Sequence, residues 1–441
     1  MLASAIPDTS MIVSTGNMMG FASGEPHPER AAVMGEVHAR PFHALETPAR
    51  LLHFAVSTTD AEALAGRDAV ADFCRTHALP ELADGAKHHL VRLGDETLRW
   101  EQHGEFTTYT FARKVQAGRP FNPAAQDLVS AFARLPRPGR LLVATDLHVM
   151  GPGIDVALEG VFDVSSLAAA SVHGGRAMVA TDFRLRGDYV RYLVLDRGLD
   201  AALAGALAVR LLEIETYRCL ALLGLPVAQR LSPAVAEAEA ELAEISLAMA
   251  QAVGLESDHL LLARLTALAA RAEAEAAGAA FRFGASRAYD SIVQQRLVAI
   301  GEEAVDARPS LSAFLSRRLS PAMRTCSTLQ ERQRELSRKM SRTANLLRTR
   351  VDVEIERQNR DLLRSMNNRT RLQLRLQHTV EGLSIAAISY YVVGLGAYVF
   401  KAAHETRLLP VDPVIATAAF VPVAILAIAL VLRRIRREHR D

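Results

Sequence analysis

The sequence contains little cysteine and little lysine, and the first shortage excludes two classes of protein. The three cysteines among its 441 residues, Cys74, Cys219 and Cys326, lie far apart, form no CxxC pair and leave an odd count. This pattern excludes a disulfide framework and a thiolate zinc site, and it favours a reducing compartment. Lysine occurs only at positions 87, 114, 339 and 401. We attribute the dominance of arginine to genomic composition and not to function.

Several functional signatures are also absent. The formal net charge of +2 predicts no nucleic-acid partner. Residues 1–28 lack a basic residue followed by an apolar run, so they predict a flexible tail and no secretory signal. The chain has no Walker loop, dinucleotide fingerprint or HExxH motif, and FGASRAY around Ser286 lacks the second glycine and the strand of a nucleophile elbow. We therefore assign no catalytic residue and expect no enzymatic activity.

Two long uncharged runs stand near the C-terminus. Residues 383–400 and 414–432 are free of charge, and each is long enough to cross a hydrocarbon core about 30 Å thick. The alternative is a pair of buried helices in a soluble core. The short connector and the arginines after the second run disfavour it, so the sequence predicts a transmembrane hairpin over 382–432.

The flanking arginines set the predicted orientation. Arginines precede the first span between residues 364 and 375, and the basic tail 433–441 follows the second span. Both termini are therefore expected in the cytoplasm, with the nearly neutral connector translocated. The lipid bilayer is the first expected partner.

The first span carries small and hydroxyl-bearing residues that lipid contact does not require. Ser389, Tyr390, Gly394 and Gly396 are the candidate site residues of this span. Such residues let membrane helices approach closely and hydrogen-bond to each other. They form either a packing face between spans or subunits, or the lining of a pore.

Residues 321–381 predict one long membrane-proximal helix, because no proline or glycine follows Pro321 until Gly382. Apolar positions recur at intervals of eleven, as in Met340, Val351 and Leu362. An eleven-residue repeat predicts that these apolar side chains form a nearly straight seam along the helix. The seam needs a partner, which is either the same helix of a neighbouring subunit or an earlier helix of this chain.

The upstream residues 29–199 predict an α+β cytoplasmic domain on a mixed or antiparallel sheet. Tight turns at Gly104 and Gly187 indicate antiparallel hairpins, and helices are expected at about 59–78 and 122–135. The predicted strands are 51–58, 88–93, 97–103, 105–113, 140–150, 177–186 and 188–196.

Residues 200–320 predict a helical bundle. Its first helix should end at Gly224 and Pro226, and further helices are expected over 232–277 and 286–305. The predicted fold is thus an α+β cytoplasmic domain, a helical bundle, one long helix and a C-terminal two-helix transmembrane hairpin.

A concentrated polar motif, GEVHARPFH, precedes the first strand. Its polar residues are Glu36, His38, Arg40 and His43. A carboxylate and two imidazoles can bind a metal ion or exchange protons near neutral pH. Alternatively, these side chains satisfy polar groups where the chain enters the fold. The segment RWEQHGEFTTY offers Glu101, His103 and Glu105, which its alternation predicts to be exposed.

Several blocks carry a resemblance to a known family. EVHARPF at 36–42, RWEQHGEFTTYTFAR at 99–113, LRTRVDVEIERQN at 347–359 and QHTVEGLSIAAISYYVVGL at 377–395 resemble an uncharacterised family of bacterial inner-membrane proteins known only as a domain of unknown function. The resemblance covers nearly the whole chain after about residue 25. It implies a location in the bacterial inner membrane and no particular activity.

The predicted architecture is also similar to that of the CorA-type magnesium channels. The sequence departs from them because GLGAYVFK stands where their Gly-Met-Asn signature is expected. The leading functional hypothesis is a homo-oligomeric membrane protein that moves or senses a cation, with a divalent cation as the transported species. The alternatives are a membrane-anchored scaffold or signalling module, and a membrane-bound enzyme that uses the Glu36, His38 and Arg40 cluster.

Overall fold

The computed structural model describes residues 27–30, 33–34, 43–116, 118–124, 132–406, 408 and 410–438, without the side chains of 432, 433 and 435–438. The chain divides into two compact units. The first combines the chain up to Glu239 with Ala270–Ser337, and the second combines Ala240–Ala269 with Arg338 to the C-terminus. The domain boundaries inferred from the sequence stay predictions.

A nine-stranded mixed sheet forms the centre of the first unit, with the strand order β2-β3-β4-β1-β5-β8-β7-β6-β9. Neighbouring strands are antiparallel except for the parallel pair of β5 and β8, which confirms the expectation of a mixed or antiparallel sheet. The strands are β1 Ala49–Ser57, β2 His88–Leu93, β3 Glu96–Gln102, β4 Phe106–Lys114, β5 Arg140–Met150, β6 Ala168–Val172, β7 Ala177–Arg186, β8 Tyr189–Asp196 and β9 Glu303–Ala304.

Each strand inferred from the sequence is present, and two were missed. The antiparallel hairpins across Gly104 and Gly187 are confirmed, and Gly187 has a positive φ of 63° that favours glycine. The missed strand β6, with the sequence AAASV, is rich in alanine, which has little preference for strands. The other, β9, has two residues and pairs at the sheet edge.

Six long helices and two short 3-10 helices, Leu158–Gly160 and Val164–Ser166, accompany the sheet in the described part of the chain. The long helices are α1 Asp60–Thr76, α2 Ala201–Leu222, α3 Gly224–Gln251, α4 Leu255–Ile300, α5 Leu311–Glu405 and α6 Pro413–Glu438.

Helix boundaries differ from the sequence inference in the bundle. The expected break near residues 278–285 is wrong, because α4 continues through Gly278 and Gly284, and the chain reverses instead at Gly254, whose φ is +94°. The end of α2 near Gly224 is confirmed. The helix expected at 122–135 falls largely outside the described residues, and its described ends are not helical.

Helices cover one face of the sheet and form the larger core. Buried side chains of β5, β7 and β8 pack with Leu207 and Leu211 of α2, Phe283 of α4, and Leu311 and Phe314 at the start of α5. Burial of one such side chain contributes about 1.5–3 kcal/mol. The first turns of α5 therefore belong to the core of the first unit.

The opposite face contains a buried ion pair beside the packing of α1. The Nε and Nη2 atoms of Arg50 on β1 donate to the two carboxylate oxygens of Asp146 on β5 at 2.7 and 2.6 Å. The Nη1 atom donates to the carbonyl oxygen of Pro123 at 2.6 Å. Both charged side chains are almost fully buried, at 1% and 0% exposure. Three charge-assisted hydrogen bonds thus compensate for the desolvation of Arg50.

In the second unit, the end of α3 is capped by α5. The guanidinium of Arg350 donates to the backbone carbonyls of Met249 and Ala252, the latter at 2.9 Å. It also lies 3.4 Å from the carboxylate of Asp258. A cation at a helix C-terminus satisfies carbonyls that the helix itself leaves without partners. An earlier part of the same chain therefore covers α5 here.

Asp146→Ala should destabilise the first unit strongly, because it leaves the Arg50 charge buried without its counterion. We expect a loss of about 3–5 kcal/mol in the free energy of unfolding, measured by urea titration with Trp100 fluorescence. The double variant Arg50→Met with Asp146→Leu should recover most of this loss. A loss below about 1 kcal/mol in the single variant would contradict the account.

Acid should destabilise the same unit through two buried imidazoles. Burial lowers the pKa of His53 to about 3 and that of His148 to about 4, from 6.5. The unfolded chain therefore binds protons first as the pH falls, and stability decreases from about pH 6.5 towards pH 4 by about 1.4 kcal/mol per histidine per pH unit. Urea titrations at a series of pH values should show a shallower slope for His53→Gln than for the wild type, and an equal slope in the two proteins would contradict the account of His53.

Candidate functional site in the helical hairpin

Length and apolar composition alone make three helical stretches of the described chain candidates for crossing a membrane. They are Ala201–Gln251, Leu311–Glu405 and Pro413–Val431. The apolar residues of the first stretch have another explanation, since many of those in α2 pack on the sheet. The other two stretches contain the run 383–400 and residues 414–431 of the second run, whose side chains are mostly exposed.

The last part of α5 packs against α6 through small residues and aromatic rings. A Cβ atom added to Gly396 would lie 2.7 Å from the ring of Phe420, so glycine is required for this approach. The rings of Phe400 and Phe420 meet edge to face with centroids 5.5 Å apart. Ser389 and Ala424 are buried. The structure thus places Gly396 at the contact between the two helices.

The other candidate residues of this span line an open groove. Ser389, Tyr390 and Gly394 of α5 lie along it, and Val421 and Ile425 of α6 form its far side. A Cβ atom on Gly394 would meet nothing within 4 Å. The structure therefore brings three of the four residues together and separates Gly396 from them.

The hydroxyl of Ser389 is the unusual group in this groove. Its side chain is 6% exposed, and its Oγ atom has no hydrogen-bond partner within the described part of the chain. Ser384, one turn earlier, instead donates to the carbonyl of Val380 at 2.8 Å. A hydroxyl buried without a partner costs about 1–3 kcal/mol. Ser389 is therefore a group that a partner molecule can satisfy.

The N-terminal polar motif is described at one residue. Glu36, His38 and Arg40 lie outside the described residues, and His43 is exposed beside α2, where its carbonyl oxygen would be 1.9 Å from a Cβ on Gly205. Burial and the charge of Arg99 lower the pKa of the His43 imidazole. Among the residues that the structure describes, no group of three His, Cys, Asp or Glu side chains could hold a metal ion.

The expectation that Glu101, His103 and Glu105 are exposed is wrong. All three are half-buried, because helices cover this face of the strands. The Glu105 carboxylate accepts hydrogen bonds from Tyr289 Oη at 2.6 Å and from Arg282 Nη1 at 3.2 Å. Alternation along a strand therefore does not show which face is solvated when a helix covers the polar side.

Comparison with known proteins identifies the family. The model of the family described as "Protein of unknown function (DUF3422)" matches residues 25–439. The chain belongs to the DUF3422 family. No curated protein and no solved structure matches it. The resemblance to an uncharacterised family is confirmed, whereas the resemblance to CorA-type channels stays a prediction.

The sequence of this DUF3422 chain did not lead us to three threonines that are buried between the sheet and α2. Thr108 and Thr110 on β4 and Thr216 on α2 are buried polar residues. The signal was present in EFTTYTF, where threonine alternates with larger side chains on a strand. Burial of those hydroxyls depends on α2, which is distant in sequence.

The glycines of the span offer a matched pair of substitutions. Gly396→Leu should separate the two helices by clashing with Phe420, at a cost of about 1–3 kcal/mol, whereas Gly394→Leu should not. The measurement is the rate of disulfide formation between cysteines introduced by Ser389→Cys and Ala424→Cys, in a background without the natural cysteines. Equal rates in the two leucine variants would show that Gly396 is not a packing residue.

Proposed function

We propose that this DUF3422 protein is a homo-oligomer of the bacterial inner membrane that moves or senses a cation. In this proposal the runs 383–400 and 414–432 cross the membrane as a hairpin, and both termini lie in the cytoplasm. The observation that carries the proposal is the groove of the first span, with its unpartnered Ser389 hydroxyl.

The membrane-proximal part of α5 supports the oligomer. Residues 356–380 are all exposed in the single chain, although the stretch contains apolar side chains at intervals. Leu362, Met366, Leu372 and Leu376 are 57–67% exposed. An exposed apolar series of this kind marks a protein contact. Copies of the chain held in one membrane present this series in parallel, so a second copy is the partner that fits it.

The groove supports the passage of a cation. Hydroxyl and backbone oxygens replace or hold the water around a hard cation, and Mg²⁺ in particular retains several waters. Ser389 supplies such an oxygen, and Tyr390 lies beside it in the same groove. In hydrocarbon the unpartnered hydroxyl is costly, whereas a hydrated path shared by several subunits satisfies it.

Flux through reconstituted protein tests the proposal. The full chain in proteoliposomes should pass a divalent cation reported by a trapped dye, and Ser389→Ala should change the rate. The matched control is Ser384→Ala, because the Ser384 hydroxyl is already satisfied within its own helix. Absence of cation permeability under all ionic and voltage conditions would refute conduction.

A membrane-anchored scaffold is the second candidate, and the exposed apolar series on α5 favours it as well, since a partner protein can cover that series. Replacement of both spans by an unrelated transmembrane hairpin separates the two candidates. A scaffold keeps its cellular function after this exchange, whereas a protein with a path through its own spans loses it.

A further inference from the structure

A pocket in the first unit lies between the sheet and α2, apart from the helical hairpin. It has a volume of about 120 Å³ and is lined by residues 43–45 and by residues of β1, β2, β3, β4 and α2. His43 and Leu90 stand at its rim and are exposed. A cavity of about 150 Å³ holds benzene. The pocket therefore suits a ligand of about six non-hydrogen atoms.

The strand side of the pocket is polar, unlike the apolar sheet face next to it. Arg99 of β3 stands opposite Thr110 of β4, which in turn stands opposite His53 of β1. In the next row, Glu101 of β3 stands opposite Thr108 of β4. Side chains opposite or diagonal to each other on one face lie within reach of a common ligand. These two rows thus supply one guanidinium, one carboxylate, one imidazole and two hydroxyls, and Thr97 and His103 line the pocket as well.

The imidazole of His53 is fixed and neutral. Its Nδ1 lies 2.8 Å from the hydroxyl of Thr110, and its Nε2 lies 2.9 Å from the hydroxyl of Thr216. Burial, and then the charge of Arg99, lower its pKa to about 3. The charge of Arg99 also contributes to the lowered pKa of His43. At His43 the charge of Glu101, to which Arg99 donates at 2.9 Å, opposes this effect by raising the pKa.

One hydroxyl in the pocket lacks a partner. The Thr108 side chain is 3% exposed, and its Oγ1 atom makes no hydrogen bond to any residue that the structure describes. A buried hydroxyl without a partner is costly, and it can donate to an acceptor placed in the pocket. Arg99, its diagonal neighbour, offers guanidinium N–H donors on the same side.

The α2 side of the pocket is mixed. Glu213, Thr216 and Tyr217 line it, and the Glu213 carboxylate is already paired with Arg296 Nε at 2.6 Å. Leu45, Leu51 and Leu212 line the pocket together with the alanines of α2 and β4. A ligand with an anionic end, which accepts hydrogen bonds from Thr108 and Arg99, and with a short hydrocarbon body fits these donors and the apolar part of the wall. Phosphate and sulfate lack the apolar part, and no group of three His, Cys, Asp or Glu side chains among the described residues could hold a metal ion.

We propose that this pocket binds a small monocarboxylate, whose oxygens accept hydrogen bonds from Thr108 and Arg99 and whose hydrocarbon body lies among Leu45, Leu51 and Leu212. The pocket is distinct from the groove in the hairpin. Binding here is independent of cation movement, so either proposal can fail without the other.

Butanoate is the probe, because its six non-hydrogen atoms match the pocket. Trp100 reports binding, since it is the one tryptophan of the chain and adjoins both Arg99 and Glu101 on β3. Titration of the full chain in nanodiscs with butanoate should give a saturable change in Trp100 fluorescence. Neutral 1-butanol should bind at least about tenfold more weakly, because a hydrogen bond to a charged group is lost.

Thr108→Val removes the hydroxyl that we assign as a hydrogen-bond donor to the ligand, and it creates no cavity. The variant removes an unpartnered hydroxyl and keeps the side-chain shape, so the ligand-free protein should not lose stability, while butanoate affinity should fall at least about tenfold. The control Thr107→Val changes the preceding residue, whose side chain points to the other face, and should bind butanoate normally. No saturable response in the wild type, equal affinity in Thr108→Val, or stronger binding of butylammonium than of butanoate would each overturn the proposal.

Discussion

Burial of one sheet face under α2, α4 and α5 is the constraint on which the first unit depends. Strands β5, β8, β7 and β6 present an almost entirely apolar surface, and the helices supply the side chains that exclude water from it. The long helix α5 begins inside this core, at Leu311 and Phe314. Its beginning is therefore fixed by packing, whereas its residues 356–380 in the second unit are all exposed within the chain.

The same covering helices explain why polar groups can persist beside the core. His53 is acceptable there because both of its nitrogen atoms have hydroxyl partners. Glu215 of α2 is likewise satisfied, since it accepts from Tyr192 at 2.9 Å and from Arg218 Nε at 2.7 Å. Thr108 and Ser389 lack such partners among the described residues. These two hydroxyls lie in separate units and line a pocket and a groove, where a bound molecule can reach them.

Local patterns determined much of what could be predicted. Strands such as EFTTYTFAR and DYVRYLVLD alternate clearly, and turn glycines mark their hairpins, so they were found from the sequence. The strand AAASV gave no such signal, because its burial depends on strands and helices that are distant along the chain. Gly254 and Gly278 both lie within stretches of helix-forming residues. The chain nevertheless reverses only at Gly254, and α4 continues through Gly278. The pocket requires α2 to cover Thr108, a contact between distant segments that periodicity does not encode.

The exposed apolar series on α5 and the groove lined by Ser389 both support the proposal that several copies of this chain assemble in one membrane. Native mass spectrometry of the full chain in nanodiscs tests this proposal. We expect a symmetric ring of about four or more copies, which would place several copies of residues 383–400 around one axis. A monomer or a dimer would leave too few helices to enclose a path and would contradict the proposal.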